Sequence, residues 1–401
     1  MSYKSLKIWH CIIVMFLLTV GFCFERIIDI LRYVFVEHKV LNTLHFWDVV
    51  LSLSLLLIVA GSTIFFRNKK ILSMSINPGM AFIISILWLG LFASIISNHN
   101  PEKHNDLSVC RLLPPLSSVQ HVGIIKKAPA LNSWDDYKYE YAADEIKINE
   151  NSINLISHDK TITIENKWGS ESIELNSMVF LFGTDEYGRD IFSRVIYGTR
   201  LSVLVGISAM IIASLIGLLL GFSAGYSVKF IDNILNRFAE MFLVLPVIFI
   251  VILLLALFGN SLLVVIAVLG CSGWMSLFKI VRGEVLSLKG KDFVITSELL
   301  GYSKIQILLK EMMPGLISPI TVNLIFLFGN VIVAESALSF LGLSAGNNLP
   351  TWGAMINEGQ YFLGQAWWIS FFPCLFLCIT LISSNSFARK FRKDYLLISV
   401  R

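Results

Sequence analysis

What this chain can fold into is constrained most by apolar residues gathered into blocks long enough to cross a bilayer. Inside hydrocarbon every backbone N–H and C=O must be satisfied within the protein, so an open irregular segment is not tolerated there. At about 17 to 25 residues per helical span, the blocks are 8–24, 49–66, 79–97, 201–226, 240–258, 261–280, 317–342 and 366–388. The expected fold class is all-α and polytopic, with about eight transmembrane helices. Composition agrees: 55% of residues are hydrophobic, 15% are charged, and the mean hydropathy is +0.72. Lys4 and Lys7 precede the first block as in a secretory signal. However, Phe22, Phe24 and Glu25 offer no small-residue cleavage site, and Phe22 before Cys23 does not suit a lipoprotein. The first block is expected to be retained.

Orientation is read from Lys and Arg in the short loops. Arg67, Lys69 and Lys70 follow the second block, Lys229 and Arg237 the fourth, and Arg389, Lys390, Arg392 and Lys393 the eighth. Arg282, Lys289, Lys291, Lys304 and Lys310 fall between the sixth and seventh, whereas 342–366 carries neither Lys nor Arg. An even number of spans with both termini cytoplasmic puts these basic loops inside. The loop at 25–48, with Arg26, Arg32 and Lys39, is the exception. The net charge of +4 then reflects sidedness and not nucleic-acid binding.

Three blocks precede residue 98 and five are packed into 201–388, with a polar stretch at 98–182 between them. Parity places that stretch outside the membrane. It opens loop-like with Pro101, Pro114, Pro115 and Pro129, then alternates apolar and polar residues over 152–157, 160–165 and 171–182, with His158-Asp159 as a turn. A small β-containing extracytoplasmic domain is expected. It holds only Cys110, so it cannot form an internal disulfide; the other five cysteines lie in or beside apolar blocks.

No GxxxxGK[ST] phosphate loop, serine nucleophile elbow or plausible pair of catalytic acids is present, so no enzyme is expected. His99, His104, Cys110 and His121 follow no ligand spacing and read as solvated loop residues rather than a metal site. Ala209, Ala213, Gly217, Gly221 and Gly225 recur every four residues and predict close helix packing. Glu335 is a carboxylate in an apolar block, with Asn323 and Asn330 on earlier turns; it has to face the protein interior or a watery path, as a structural bond or as a contact with substrate or gate. Pro246 predicts a kink.

The stretch 292–315 reads as a polar hairpin of two short helices between apolar blocks. Asp292 is the expected N-cap, 293–300 fill about two turns, and Gly301 is the expected left-handed residue after the helix. Ser303 and Gln306 form a capping box, and Pro314 is expected to end the second helix. Such a hairpin is either an ordinary loop or a helix presented to a partner.

From Gly183 onward the chain resembles the inner-membrane permease subunit, of the second permease type, of oligopeptide and dipeptide ABC importers. The residues that carry the likeness are Gly183-Thr184-Asp185-Glu186-Tyr187-Gly188-Arg189-Asp190, Ser193-Arg194, Tyr197-Gly198-Thr199-Arg200, the run from Glu335 to Leu343, Trp352-Gly353 and Glu358-Gly359. The hairpin resembles the loop of that family named for a Glu-Ala-Ala signature. Asp292, Phe293, Val294, Leu300, Gly301 and Pro314 match, but Ile295, Thr296 and Ser297 stand at the signature positions, and Glu311 and Gly315 replace the usual His and Asn. With Asp292 as N-cap, the missing Glu would be half of a capping box.

Three regions follow: three N-terminal transmembrane helices at 1–97, an external domain at 98–182, and a permease core at 183–401 with a coupling helix at 292–301. The resemblance covers the core, whereas the first two regions depart from the single front span usual in the family. The resemblance implies ATPase contact through Asp292, Phe293, Val294, Ile295, Thr296, Ser297, Glu298, Leu300, Gly301 and Pro314. It also implies an external motif of Gly183, Thr184, Asp185, Gly188, Arg189 and Asp190, with Glu335 as a gate or pathway candidate. Expected partners are a homologous permease, two ATPases and a substrate-binding protein, in a bacterial inner membrane. ATP is used by the partners, and this chain binds no cofactor. The same architecture with a nickel-chelate or peptide-like antibiotic as cargo stays open, as does a stand-alone channel or proton-coupled transporter.

Overall fold

The computed structural model describes residues 8–22, 52, 55, 78–97, 101–125, 137–143, 145–148, 152–157, 160–165, 173–244, 246–259, 261–343 and 349–399. The expected span at 49–66 lies outside these apart from Ser52 and Leu55, as do His99, Pro129 and the turn His158-Asp159. The described chain is mostly helical: α1 (Ile8–Phe22), α2 (Pro78–Leu91), α3 (Ala93–Ile96), α4 (Leu107–Cys110), α5 (Ile191–Tyr226), α6 (Lys229–Val244), α7 (Val247–Phe258), α8 (Leu262–Lys289), α9 (Asp292–Leu299), α10 (Lys304–Phe340), α11 (Trp352–Gly359) and α12 (Trp368–Ser399).

Among the described residues four helices are long and apolar enough to cross a membrane: α5, α8, α10 and α12; α6 and α7 together would make a fifth. Of the eight expected blocks, 49–66 lies almost wholly outside the described residues, and the one at 240–258 does not form a single straight span. That block begins inside α6, whose face carries Phe230, Ile234, Phe238 and Met241 while Asp232, Asn236 and Glu240 lie elsewhere around the helix. Pro246 then takes an extended conformation ahead of α7. At 1.5 Å per residue the 12 residues of α7 reach only about 18 Å, short of a hydrocarbon core of about 30 Å. α1 and α2 are apolar but similarly short.

The described residues divide into two compact units: Met1–Ile76, Ile84–Leu201 and Pro350–Phe376 in one, and Asn77–Ile83, Ser202–Leu349 and Leu377–Arg401 in the other. In the first unit, Trp88, Phe92, Ile95 and Ile196 pack with Ile12, Phe16 and Val20 of α1, and Trp88 Nε1 donates to Thr19 Oγ1 at 2.9 Å. Among its described residues the same unit holds six strands in two antiparallel sheets: β1 (Ser117–Ile125), β2 (Tyr137–Ala143), β3 (Glu145–Ile148), β4 (Ser152–Ser157), β5 (Lys160–Glu165) and β6 (Ile173–Phe180). Their orders are β2-β1-β6 and β3-β4-β5. The strands expected at 152–157 and 160–165 have those bounds, while the third is shorter at 173–180. β1 stands where a loop was expected: Val119 and His121 are buried between exposed Ser118 and Gln120, the two-residue alternation of a half-buried strand.

In the second unit the small-residue stripe of α5 packs on α8. A Cβ at Gly221 would lie 2.8 Å from the Val281 side chain, and one at Gly217 would lie 3.0 Å from Leu277. Ala209 and Ala213 are fully buried in a core with Trp274, Phe278, Leu327 and Val331. Small side chains allow this approach where lipid supplies no hydrophobic drive between helices.

Candidate functional site

The hairpin is held from inside and bare outside. Val294 is fully buried in a cluster with Leu277, Val281 and Val285 of α8 and Ile307, Met312 and Leu316 of α10. Ser297 is buried too, whereas Phe293, Ile295, Leu299 and Leu300 are exposed, Leu299 by 83% and Leu300 by 69%. A helix of eight residues cannot sustain itself in isolation, so Val294 and the caps have to place it.

The C-terminal cap is as expected. Gly301 has φ +81, its N–H bonds to the Glu298 carbonyl at 3.0 Å, and Tyr302 N–H reaches the Ser297 carbonyl at 3.1 Å. This is the paired arrangement of a Schellman cap. The Ser303–Gln306 capping box is present in both directions.

Two expectations are corrected. Lys291, extended after Gly290, is the N-cap, and its carbonyl accepts from Val294 and Ile295 N–H. Asp292 caps nothing with its side chain; as the first helical residue it instead places a carboxylate at the positive end of the helix dipole. Ile295 is therefore one place too late to pair with the N-cap, so the missing signature Glu does not halve a capping box. Pro314 does not end a short helix either. Residues Ile307–Met312 form a π-helical turn, and Pro314 begins the α-helical run Met313–Phe340 that completes α10. The wider turn accommodates a ring that would clash in a regular helix interior.

The motif at 183–190 builds a clasp in the first unit. Gly183 (φ +78) and Gly188 (φ +67) make the turns, and a Cβ at Gly183 would strike the Leu113 carbonyl and the Trp368 indole. Thr184 Oγ1 donates to the Cys110 carbonyl at 2.5 Å and accepts from Leu113 N–H at 2.8 Å, while its own carbonyl accepts from Trp368 Nε1 at 3.0 Å. Asp185 Oδ1 accepts from Tyr187 and Arg189 N–H, both at 2.9 Å. Asp185 Oδ2 takes Arg189 Nε at 2.6 Å and Arg194 Nη1 at 2.7 Å. Asp190 begins α5, accepting from Ser193 N–H at 3.0 Å and Ser193 Oγ at 2.5 Å, as an N-cap does.

The residues that complete this clasp carry the family likeness in the sequence, but their pairing is not predicted from it. Arg194, 2% exposed, forks onto Glu358 of α11 at 2.6 and 3.2 Å, and Arg189 reaches the same carboxylate at 3.0 Å. Two guanidinium groups and two carboxylates thus balance, with Arg194 and Asp185 buried and Arg189 and Glu358 partly exposed, and the buried pair is tolerable only with such directed pairing. Burial pushes the Glu358 carboxyl up, but the Arg194 charge, its hydrogen bonds and the Arg189 charge outweigh it, so Glu358 titrates below the ordinary carboxylate range. Trp352 Nε1, bonded to the Val195 carbonyl at 3.2 Å, fixes the other end of α11. The available signal was a cation in the first turn of an apolar helix, which demands a partner.

Glu335 is 1% exposed. Its Oε1 accepts from Ser339 Oγ at 2.8 Å and its Oε2 lies 3.5 Å from Ser336 and Ser202 hydroxyls. It therefore points into its own unit, toward α5, and not outward. His104 lies edge-on to Tyr187 and His121 is buried in β1; no group of three His, Cys, Asp or Glu among the described residues could hold a metal ion.

With this geometry in view, the comparisons with known proteins are specific. Residues 217–395 match the family described as binding-protein-dependent transport system inner membrane component. The chain is 40% identical over 205 residues to a dipeptide transport system permease protein of Bacillus subtilis, covering 51% of this chain and 64% of that one. It is 38% identical over 204 residues to an oligopeptide transport system permease protein of Haemophilus influenzae, covering 51% and 66%. An oligopeptide transport system permease protein of Salmonella typhimurium is 41% identical over 204 residues, with 51% of this chain and 68% of the relative covered. The chain belongs to the binding-protein-dependent transport permease family. It spans slightly less than two thirds of the first two relatives' length. The family match contains α8, the hairpin and α10 in full, while the clasp motif at 183–194 precedes it.

Proposed function

We propose that this chain is a permease subunit of an ATP-driven importer. With a homologous second permease it would line a path for peptides handed over by an extracytoplasmic binding protein. Two separate ATPases would dock on the hairpins of the two permeases, one of them on α9, and supply ATP hydrolysis; this chain makes and breaks no covalent bond and binds no cofactor. The reading places the chain in a bacterial inner membrane with both termini and the hairpin cytoplasmic, and the strand-bearing region 98–182 outside. The core would be 183–401, with the N-terminal helices of 1–97 added to it.

The observation that carries the reading is the hairpin itself. Among Asp292, Phe293, Val294, Ile295, Thr296, Ser297, Glu298, Leu300 and Gly301, Val294 anchors the helix while Phe293, Ile295 and Leu300 stay exposed, joined by Leu299. A capped, anchored helix with an apolar outer face fits a partner's groove. Ile295, where the family signature has Glu, adds to that apolar face. A channel would leave it without purpose. Peptide cargo is supported by the relatives' names, which concern dipeptide and oligopeptide transport. On this reading Gly183, Thr184, Asp185, Gly188, Arg189 and Asp190 shape the outer mouth. Glu335 helps to close the path through its serine contacts. The test is uptake by proteoliposomes holding the complete complex. ATP-dependent accumulation of a labelled di- and tripeptide mixture is expected, and accumulation driven by a proton gradient without ATP would contradict the proposal.

A further inference from the structure

The turns that flank α9 are themselves unpacked. A Cβ added at Gly290 or at Gly301 would meet nothing within 4 Å. Something other than turn packing therefore has to set the direction of the helix, whose apolar anchor is Val294, with Ser297 buried one turn on along the same face. Tyr226, the last residue of α5, supplies a second point. Its hydroxyl bonds to Glu298 Oε1 at 3.1 Å, in the last turn of α9. Its ring also faces two ammonium groups, Lys289 Nζ at 5.3 Å from the centroid and Lys304 Nζ at 6.0 Å. Lys289 closes α8 just before the turn into α9, and Lys304 opens α10 just after the turn out. One aromatic side chain thus touches the helix and both of its flanks, within the range where a cation is attracted to a ring face.

We propose that Tyr226 is a positioning residue that holds α9 at a fixed angle to α5, so that motion at the ATPase contact is passed to the spans and not absorbed by the turns. The proposal rests on the coupling reading of α9. It separates the two functions of the hairpin: Val294 fixes where the helix is, and Tyr226 fixes which way it points.

The test is amide hydrogen exchange of residues 292–300 in the complete complex, paired with stimulation of ATP hydrolysis by the binding protein. For Tyr226→Leu, which loses both hydroxyl and ring, exchange is expected to quicken about two- to fivefold and stimulation to fall. Tyr226→Phe keeps the ring and is expected to show a smaller change of both. Should Tyr226→Leu fail to assemble, the double variant Lys289→Met with Lys304→Met removes the cations instead and is expected to reproduce the faster exchange. Exchange at the parental rate in Tyr226→Leu, or in the double variant where Leu does not assemble, overturns the proposal. Faster exchange with stimulation intact leaves the hold in place and overturns the coupling reading.

Discussion

The clasp around Asp185 and the hairpin around α9 solve opposite problems. In the clasp, Asp185, Arg189, Arg194 and Glu358 leave few ways to rearrange, because each charge is paired with an opposite one around the buried Arg194 and Asp185. In the hairpin, one buried valine and a set of caps hold a helix whose remaining apolar side chains stay uncovered. The difference teaches how to tell scaffold from docking element: scaffold spends its polar groups on itself, whereas a docking element keeps its apolar face free and is held by few contacts. Variants in the first should cost stability, and variants in the second should cost coupling at nearly native stability.

The largest effect should follow Arg194→Met. It leaves Glu358 and Asp185 Oδ2 with Arg189 as their remaining cation, and breaking a buried pair costs at most roughly 3–5 kcal/mol. Thermal unfolding of the purified complex in detergent should show a large drop, and a shift within error of the parent would mean the clasp is not structural. The same network predicts a pH dependence. Because the folded Glu358 carboxyl titrates below its ordinary value of 4.5, its contribution is complete above that pH and is lost as pH falls through the folded value. Unfolding temperatures measured between about pH 5 and pH 3 should therefore fall less steeply for Glu358→Gln than for the parent.

Smaller effects belong to the hairpin. Val294→Ala removes buried methyl groups and should cost about 1–3 kcal/mol, felt locally. Amide exchange over 292–300 should rise while the unfolding temperature of the whole complex moves little. Gly301→Val puts a β-branched residue at positive φ, costing roughly 1–2 kcal/mol. It should lower transport-coupled ATP hydrolysis yet leave pairing with the second permease intact, and wild-type transport by this variant would break the comparison. Smallest is Glu335→Gln, which keeps an acceptor for Ser339 and should transport nearly normally from about pH 5.5 to 8. Glu335→Leu leaves those hydroxyls unpaired and should uncouple hydrolysis from uptake; an inactive Gln variant would point to proton coupling instead.

Local chemistry explains what could be read from residues alone. The Gly301 turn and the Ser303–Gln306 box depend on neighbours within five positions, and the small stripe of α5 is a simple period of four. The clasp was half legible: Asp185 and Arg189 are four apart, but Glu358 is 164 residues from Arg194, and no local pattern encodes that pairing. β1 was hidden by Pro114 and Pro115 ahead of it, although its alternation begins three residues after the second proline. Pro314 misled because a proline ends a helix only where the preceding turn keeps its regular pitch, and here that turn is π-helical. The break at Pro246 was foreseen as a kink, but its division of the block into the end of α6 and a short α7 carries no mark in a hydropathy profile, because the residues on both sides are apolar.

The central claim is that α9 is the docking element for a separate ATPase, and co-purification tests it most directly. A tagged parent chain in detergent should bring down a second permease together with ATP-hydrolysing subunits. Leu299→Asp, altering the most exposed apolar residue of the helix and leaving Val294 untouched, should retain the permease and lose the ATPases. A parent chain that purifies without any ATPase, or a Leu299→Asp chain that retains it in full, would contradict the account.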